Sequence, residues 1–111
     1  MTGPLPILRG TLDVLVLRAL LGDPMHGYEI SAWLDRRAQG NLAVLDSALY
    51  QALYRLERQG YIASDWGTTE NNRQARFYKL TASGRKRLAE ERATWARMSR
   101  AVDLVLRMGE G

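Results

Sequence analysis

Cysteine is absent from this sequence of 111 residues, and histidine, phenylalanine and proline occur only one, one and three times. Without cysteine the chain has no disulfide bonds and no thiolate metal ligands. Asp13 and Arg18 interrupt the most apolar stretch, so no run reaches the about 18 residues of a membrane-spanning helix. The N-terminus also lacks a basic segment followed by an unbroken apolar one, which argues against a signal peptide. These absences predict a soluble protein of the cytoplasm that does not associate with a membrane.

Few groups are available for catalysis. The single histidine, His26, is accompanied by no glycine-rich phosphate loop and no convincing pair of carboxylates. We therefore expect the chain not to be an enzyme and to need neither a cofactor nor a metal. His26 is interpreted as a surface or capping residue at the start of a helix.

The charge is basic but dispersed. Sixteen Lys and Arg residues against twelve Asp and Glu residues give a net charge of +4. Residues 1–45 hold four basic and four acidic residues, residues 46–80 five and four, and residues 81–111 seven and four. Because no single basic run exists, affinity for nucleic acid would have to come from shape, dimerisation and a few placed contacts.

The stretch 46–60 predicts an amphipathic helix. Leu49, Leu53 and Leu56 share one face, Asp46 or Ser47 can cap the start, and Gly60 stands where a helix usually ends. The opposite face is polar and cationic, which suits a recognition helix in the DNA major groove. An ordinary amphipathic surface helix is the alternative. The candidate DNA contacts on this helix are Ser47, Tyr50, Gln51, Tyr54 and Arg55.

A hairpin is predicted directly after this helix. Residues 61–66 and 75–80 are rich in β-branched and aromatic residues, as strands are, whereas residues 67–74 are polar and turn-prone. A recognition helix followed by such a hairpin indicates a winged helix-turn-helix. The cations of the hairpin would hold the DNA backbone or the minor groove, and they are Arg73, Arg76 and Lys79.

The combined pattern resembles the PadR-type transcriptional regulators. The similarity covers roughly residues 8–88 and is carried by Gly27-Tyr28-Glu29-Ile30, Ala48-Leu49-Tyr50, Leu53, Leu56-Glu57, Gly60-Tyr61-Ile62, Arg73, Arg76, Tyr78 and Leu80-Thr81-Ala82-Ser83-Gly84. The resemblance implies a regulator of transcription, most often a repressor, that binds double-stranded DNA. The family usually has Gly-Thr before the Leu-Tyr pair and Pro after it, where this chain has Ser47, Ala48 and Gln51. Tyr28 and Tyr78 are interpreted as partly core residues.

The first predicted helix, from Leu8 to Leu21, has an unusually wide apolar surface. Leu8, Leu12 and Leu15 follow one face, and further apolar residues lie beside them. We interpret this helix as buried from two sides, by its own domain and by a partner. Deep burial inside a monomer is the alternative.

Thr81 is a suitable N-cap for a long helix that runs to Arg107. Its apolar residues recur in an interrupted heptad, which is typical of a coiled seam. A seam so far from the winged body predicts homodimerisation, and a helix folded back on its own domain is the alternative. The residues of this predicted dimer seam are Leu88, Trp95, Met98, Val102 and Val105.

The expected fold is therefore mainly α with a small β-hairpin (α+β). Residues 1–83 would form an N-terminal arm and a winged helix-turn-helix domain, and residues 84–111 a dimerisation helix. The expected function is sequence-specific regulation of transcription by a homodimeric repressor on a pseudo-palindromic operator. The alternative is a protein-interaction module that uses the coiled seam and binds no specific DNA sequence.

Trp95, in the middle of the seam, leaves two interpretations open. Two such indoles across a two-fold axis could hold the helices apart and leave a slot for a planar aromatic effector, as in some members of the resembling family. Met98 and Leu8, Leu12 or Leu15 would then form its walls. In the second interpretation, the two indoles stack and leave no cavity.

Overall fold

The computed structural model of the chain describes residues 3–7 and 10–109. In this part of the chain the helices are α1 (Thr11–Ala19), α2 (Gly27–Arg37), α3 (Asp46–Arg58) and α4 (Ala82–Leu106). The strands are β1 (Leu5–Pro6), β2 (Met25–His26), β3 (Leu42–Ala43), β4 (Ile62–Thr68) and β5 (Gln74–Leu80). This order confirms the predicted fold class, a helical protein with a small antiparallel sheet and a long C-terminal helix.

The core is formed by one face of each of the first three helices, the inner side of the β4–β5 hairpin and the start of α4. On α3 the buried face is the predicted one, because a period of about 3.6 residues brings every third or fourth residue to the same side. The largest buried side chains are Val16, Leu17, Leu20, Ile30, Leu49, Leu53, Leu56 and Ile62.

The first helix differs from its prediction. It spans Thr11–Ala19 instead of Leu8–Leu21, and Leu8 lies outside the described residues. Leu12 and Leu15 are partly buried and pack against the core, while Val16 and Leu17, which follow Leu15, are almost completely buried. The side of α1 that carries Leu12 and Leu15 is thus only partly buried by the rest of the chain.

The predicted cap of α3 was wrong. Leu45 occupies the N-cap position with an extended backbone and makes no side-chain capping bond. Its carbonyl accepts the hydrogen bond from the Leu49 N–H at 2.9 Å. The helix therefore begins two residues earlier than a Ser47 cap would require and one earlier than an Asp46 cap would. Asp46 already belongs to its first turn, where a carboxylate interacts favourably with the positive end of the helix dipole.

A three-stranded antiparallel sheet has the order β2-β5-β4. The hairpin register runs from Ile62 opposite Leu80 to Thr68 opposite Gln74. At its tip, the Thr69 N–H donates to the Arg73 carbonyl at 2.8 Å. Strand β2 was not predicted, since two residues carry no alternation by which a strand could be recognised. Separately, the two-residue β1 pairs in parallel with β3.

Helix α4 is anchored at its N-terminus. The Thr81 hydroxyl accepts from the Gly84 N–H at 3.0 Å and donates to the Gly60 carbonyl at 2.7 Å, which confirms Thr81 as the cap. Gly84 lies so close to the chain before β4 that a methyl group there would collide with the Tyr61 carbonyl oxygen.

Leu88, one turn further on, is only 3% exposed in the core of its own chain. The assignment of Leu88 to the dimer seam is therefore corrected, because its closeness to the anchor places it against the body.

Beyond Leu88 the helix leaves the body, and its apolar side chains are exposed. They are Trp95, Met98, Val102, Leu104, Val105 and Leu106. None of the helices in the described part of the chain combines the length and the apolar content that crossing a membrane would require.

Candidate nucleic-acid interface

A cleft of about 550 Å³ separates the N-terminal ends of α2 and α3 from the β4–β5 hairpin, hereafter the wing. Three aromatic side chains line it while remaining largely exposed: Tyr28 at 73%, Trp66 at 65% and Tyr50 at 51%. Arg73 and Arg76 add positive charge from the wing side. An exposed aromatic surface with a cationic border can bind the sugars and phosphates of a nucleic acid.

The outer face of α3 lies beside this cleft. The Arg58 guanidinium lies 5.6 Å from the centre of the Tyr54 ring, which combines an aromatic and a cationic surface near the end of the helix. All five contacts predicted on this helix lie on its exposed side, and they are Ser47, Tyr50, Gln51, Tyr54 and Arg55.

Arg55 is not a free cation on this face. Its Nη2 and Nε donate to the two carboxylate oxygens of Asp13, at 2.5 and 3.3 Å. This hydrogen bonding raises the pKa of Arg55 above its ordinary value, against the opposing effect of burial. The pair connects α3 to α1 and offsets the charge that Arg55 would offer to a phosphate. The structure therefore gives Arg55 a structural partner that spacing along the sequence did not reveal.

Tyr50 is positioned by the first residue of α2. Its ring lies so close to Gly27 that a methyl group at that position would overlap the ring and its hydroxyl. Glycine thus permits α2 and α3 to approach each other at the edge of the cleft. This contact directs the Tyr50 side chain along the cleft wall.

His26 caps α2, as its position in the sequence predicted. Its Nδ1 accepts from the Glu29 N–H at 3.3 Å, and Glu29 Oε1 accepts from the His26 N–H at 3.1 Å. The His26 ring also stacks on Tyr28, with centroids 6.4 Å apart and planes 6° apart. The capping box thereby holds an aromatic side chain at the edge of the cleft.

Tyr28 and Trp66 are aromatic cleft residues that the sequence interpretation did not assign to the interface. For Tyr28 the reason can be identified. Tyr28 was assigned in part to the core, yet its side chain is exposed, whereas Tyr78 is buried. A signal was available, because Ile30 marks the inner face of α2. Two residues correspond to about 200° around a helix, which places Tyr28 on the opposite side from Ile30.

The two faces of the wing separate its cations, since side chains alternate along a strand. Arg76 shares a face with Tyr78, which is buried against the body, whereas Lys79 projects from the opposite face. Arg73 closes the turn, where its N–H donates to Thr69 Oγ1 at 3.2 Å. Of the three predicted wing cations, the structure brings Arg73 and Arg76 to the cleft and directs Lys79 away from it.

Arg76 is engaged within the protein. Its Nη2 donates to Ser64 Oγ at 2.6 Å and lies 3.4 Å from Glu57 Oε2. Its guanidinium also lies over the Trp66 ring, 5.4 Å from the centroid. The side chain predicted to hold the DNA backbone is therefore directed toward α3 and its own hairpin.

The residues predicted for dimerisation and for an effector are divided between two surroundings. Trp95, at 48% exposure, and Met98 lie open to solvent on α4, as do Val102 and Val105. Leu12 and Leu15 lie on α1 and pack against the core. Among the described residues, no group of three or more His, Asp or Glu side chains is arranged to hold a metal ion.

The sequence profile of the transcriptional regulator PadR-like family matches residues 16–90. An uncharacterised protein from Lysinibacillus sphaericus is 30% identical over 100 residues, which are 90% of this chain and 92% of that protein. A transcriptional regulator from Clostridium thermocellum has a similar structure, with a TM-score of 0.81, 27% identity and coverage of 89% of this chain and 96% of that one. A PadR family transcriptional regulator from Eggerthella lenta gives a TM-score of 0.73, 32% identity and coverage of 91% and 86%.

Proposed function

The chain belongs to the PadR-like family of transcriptional regulators, and from this premise we propose that it represses transcription as a homodimer on a pseudo-palindromic operator. Members of the family are regulators and not enzymes, which supports DNA-binding regulation of transcription as the general activity. The observation that carries the proposal is the exposed polar and aromatic face of α3 beside the cationic, aromatic cleft of the wing.

On DNA, α3 would enter the major groove and the wing would lie over the backbone or the minor groove. Gln51 is exposed on α3 and can pair with both the N6 and N7 edges of adenine. Ser47 and Tyr50, nearer the helix start, suit phosphate or mixed contacts. Arg73, exposed at the tip of the wing, suits a phosphate.

The exposed apolar side of α4 supports the proposed homodimer. Trp95, Met98, Val102 and Val105 cannot all be covered by their own domain, since α4 has left the body at that point. A second copy related by a two-fold axis presents the same face and covers it. Two recognition helices held in this way would meet half-sites about 34 Å apart, or a multiple of that distance.

A slot at the two-fold axis is the proposed effector site. Trp95 and Met98 would line it, with Leu12 and Leu15 of α1 as further walls. A planar aromatic compound there would change the spacing of the two recognition helices, and so shift the population of dimers that fit the operator. Stacking of the two Trp95 rings without a cavity remains the alternative for this region.

Binding measurements on variants test the DNA interface. Fragments that the protein selects from genomic DNA give the specific site, and random duplex of equal length gives the reference. Gln51→Ala should weaken the specific complex by about 1–3 kcal/mol and relax the preference at one base pair per half-site. Arg73→Ala should weaken specific and random binding alike, and reduce the salt dependence by about one counterion.

Lys79→Ala is the matched control, because it removes the same charge from the face of the wing that points away from the cleft. It should leave both affinities within about twofold of the unmodified protein, as expected of a distant surface charge. Equal losses of specific and random binding on removing Gln51 would contradict its role in base recognition. Duplex binding that does not depend on salt would favour the protein-interaction module instead.

A further inference from the structure

Three side chains from three elements form a hydrogen-bonded network at the base of the wing. Glu57 lies in the last turns of α3, Ser64 on β4 and Arg76 on β5. Ser64 Oγ donates to Glu57 Oε2 at 2.6 Å and accepts from Arg76 Nη2 at 2.6 Å. The Arg76 and Glu57 charges are themselves 3.4 Å apart. The network thus connects the recognition helix to both strands of the wing.

Two aromatic side chains border this network, Trp66 and Tyr78. Trp66 faces Arg76 across the hairpin, and its ring covers the guanidinium. The Tyr78 hydroxyl is also affected by the network charges: burial and then Glu57 raise the pKa of Tyr78, while Arg76 lowers it. Hydrogen bonds in which the donor or the acceptor is ionised are shorter and stronger than neutral ones. A network of this kind can therefore hold one angle between α3 and the wing.

The wing angle matters because the hairpin acts as a lever. Four residues separate Ser64 from the end of β4 at Thr68, a length of about 13 Å at a rise of about 3.3 Å per residue. A tilt of about 10° at Ser64 would therefore displace the tip by about 2 Å. Hydrogen bonds require donor–acceptor distances within about 0.5 Å, so such a tilt would prevent Arg73 from reaching its proposed phosphate while Gln51 contacts a base. On random duplex Gln51 reads no base, so α3 can shift and Arg73 can keep its phosphate contact.

We propose that Glu57, through Ser64 and Arg76, is a positioning residue that fixes the wing relative to α3 and so determines specificity for the operator. The inference rests on the proposed DNA-binding function. It assigns Arg76 to the network and not to a phosphate. It also explains why the acidic Glu57 lies on a surface that is proposed to bind DNA, which is itself an anion.

Charge alone predicts the opposite behaviour for Glu57. A carboxylate near DNA repels phosphates, so its removal should strengthen binding to every sequence if electrostatics were its only effect. Positioning predicts that its removal weakens the specific complex. Glu57→Gln separates the two effects, since glutamine loses the charge but keeps an oxygen that can accept from Ser64 and Arg76.

The test compares dissociation constants for a selected operator fragment and for random duplex over a range of salt concentrations. Glu57→Ala should lower the ratio of specific to random affinity by about tenfold, because one lost base contact costs about that factor. Glu57→Gln should stay within about threefold of the unmodified protein. Arg76→Ala should lower the ratio as Glu57→Ala does, and the double variant should lose no more than either single one, as expected of groups that act together.

Three results would overturn the proposal: tighter binding of Glu57→Ala to all DNA, equal behaviour of the Gln and Ala variants, or a salt slope reduced by about one in Arg76→Ala. Asp65→Ala is the matched control, because Asp65 carries the same charge on β4 but projects from the other face of the hairpin. It should leave the specificity ratio unchanged. Ser64→Ala keeps both charges and carries the test if Glu57→Ala does not fold.

A measurement without DNA distinguishes failure of this proposal from failure of the proposed function. In a Trp33→Phe, Trp95→Phe background, Trp66 is the remaining tryptophan and reports on the wing. Its fluorescence anisotropy decay should show faster local motion in Glu57→Ala and Ser64→Ala, and no change in Glu57→Gln and Asp65→Ala. An equally rigid wing in Glu57→Ala would refute positioning even if the protein bound no operator at all.

Discussion

At the scale of single residues, the three tryptophans lie in separate surroundings that can be followed independently. Trp33 has the guanidinium groups of Arg18 and Arg37 each 5.4 Å from its ring centre. Trp66 lies under Arg76 in the wing, and Trp95 is half exposed on α4.

With Trp33 and Trp66 replaced by Phe, planar aromatic compounds at micromolar concentration should quench Trp95 emission and weaken operator binding, because the proposed slot encloses the Trp95 ring.

The control for this titration is the variant in which Trp66 alone remains, whose emission should not respond. Trp95→Phe should also remove the effect of the compounds on DNA binding. If high-micromolar compound changes neither Trp95 emission nor DNA affinity, Trp95 serves only to pack the two helices.

At the scale of elements, the attachment of α4 to the body depends on a close approach at Gly84. A methyl group there meets the Tyr61 carbonyl oxygen, which belongs to the backbone and cannot rotate away. Gly84→Ala should therefore lower the free energy of unfolding by about 3 kcal/mol, the upper end of the usual cost of overpacking. Urea denaturation followed by circular dichroism measures the change.

Gly22→Ala is the control for this substitution, since a methyl group at Gly22 meets nothing within 4 Å and its backbone has no positive φ. It should change the free energy of unfolding by less than about 0.5 kcal/mol, as surface substitutions usually do. A Gly84→Ala protein as stable as the unmodified one would show that α4 can attach without this close approach.

At the scale of the whole molecule, the single chain is too extended for a compact domain. Its radius of gyration is 15.9 Å, against about 13 Å for a compact chain of 100 residues. The excess comes from the exposed half of α4, which is the proposed dimer interface.

Val102→Glu should convert the homodimer to a monomer, since two carboxylates facing each other across a two-fold axis would be buried without partners. Light scattering gives the mass.

Leu104→Glu is the control for the dimer. Two residues from Val102 correspond to about 200° around the helix, so Leu104 lies on the other side and its substitution should leave the dimer intact. A dimeric Val102→Glu protein, or a monomeric unmodified one, would contradict the proposed interface. Cutting the chain after Gly84 is a poorer test, because it also removes Leu88 from the core.

The features of this protein that could be predicted from its sequence depend on local signals. The spacing of Leu49, Leu53 and Leu56 identified the buried face of α3, and Thr81 identified the start of α4. The polar stretch 67–74 identified the tip of the wing. These features were predictable because helix periodicity, capping and turn formation involve residues only a few positions apart.

Contacts between side chains from different elements could not be predicted in this way, because they depend on how the elements pack. Arg76 forms hydrogen bonds with Glu57 and Ser64, which lie 19 and 12 residues away in the sequence. Arg55 forms hydrogen bonds with Asp13, which lies 42 residues away. The two-residue β2 is a strand only because β5 lies beside it. Leu88 belongs to the core because the close contact at Gly84 holds α4 against the body. Such contacts depend on how the elements pack against one another. The spacing of residues along the chain does not predict which distant side chains come together.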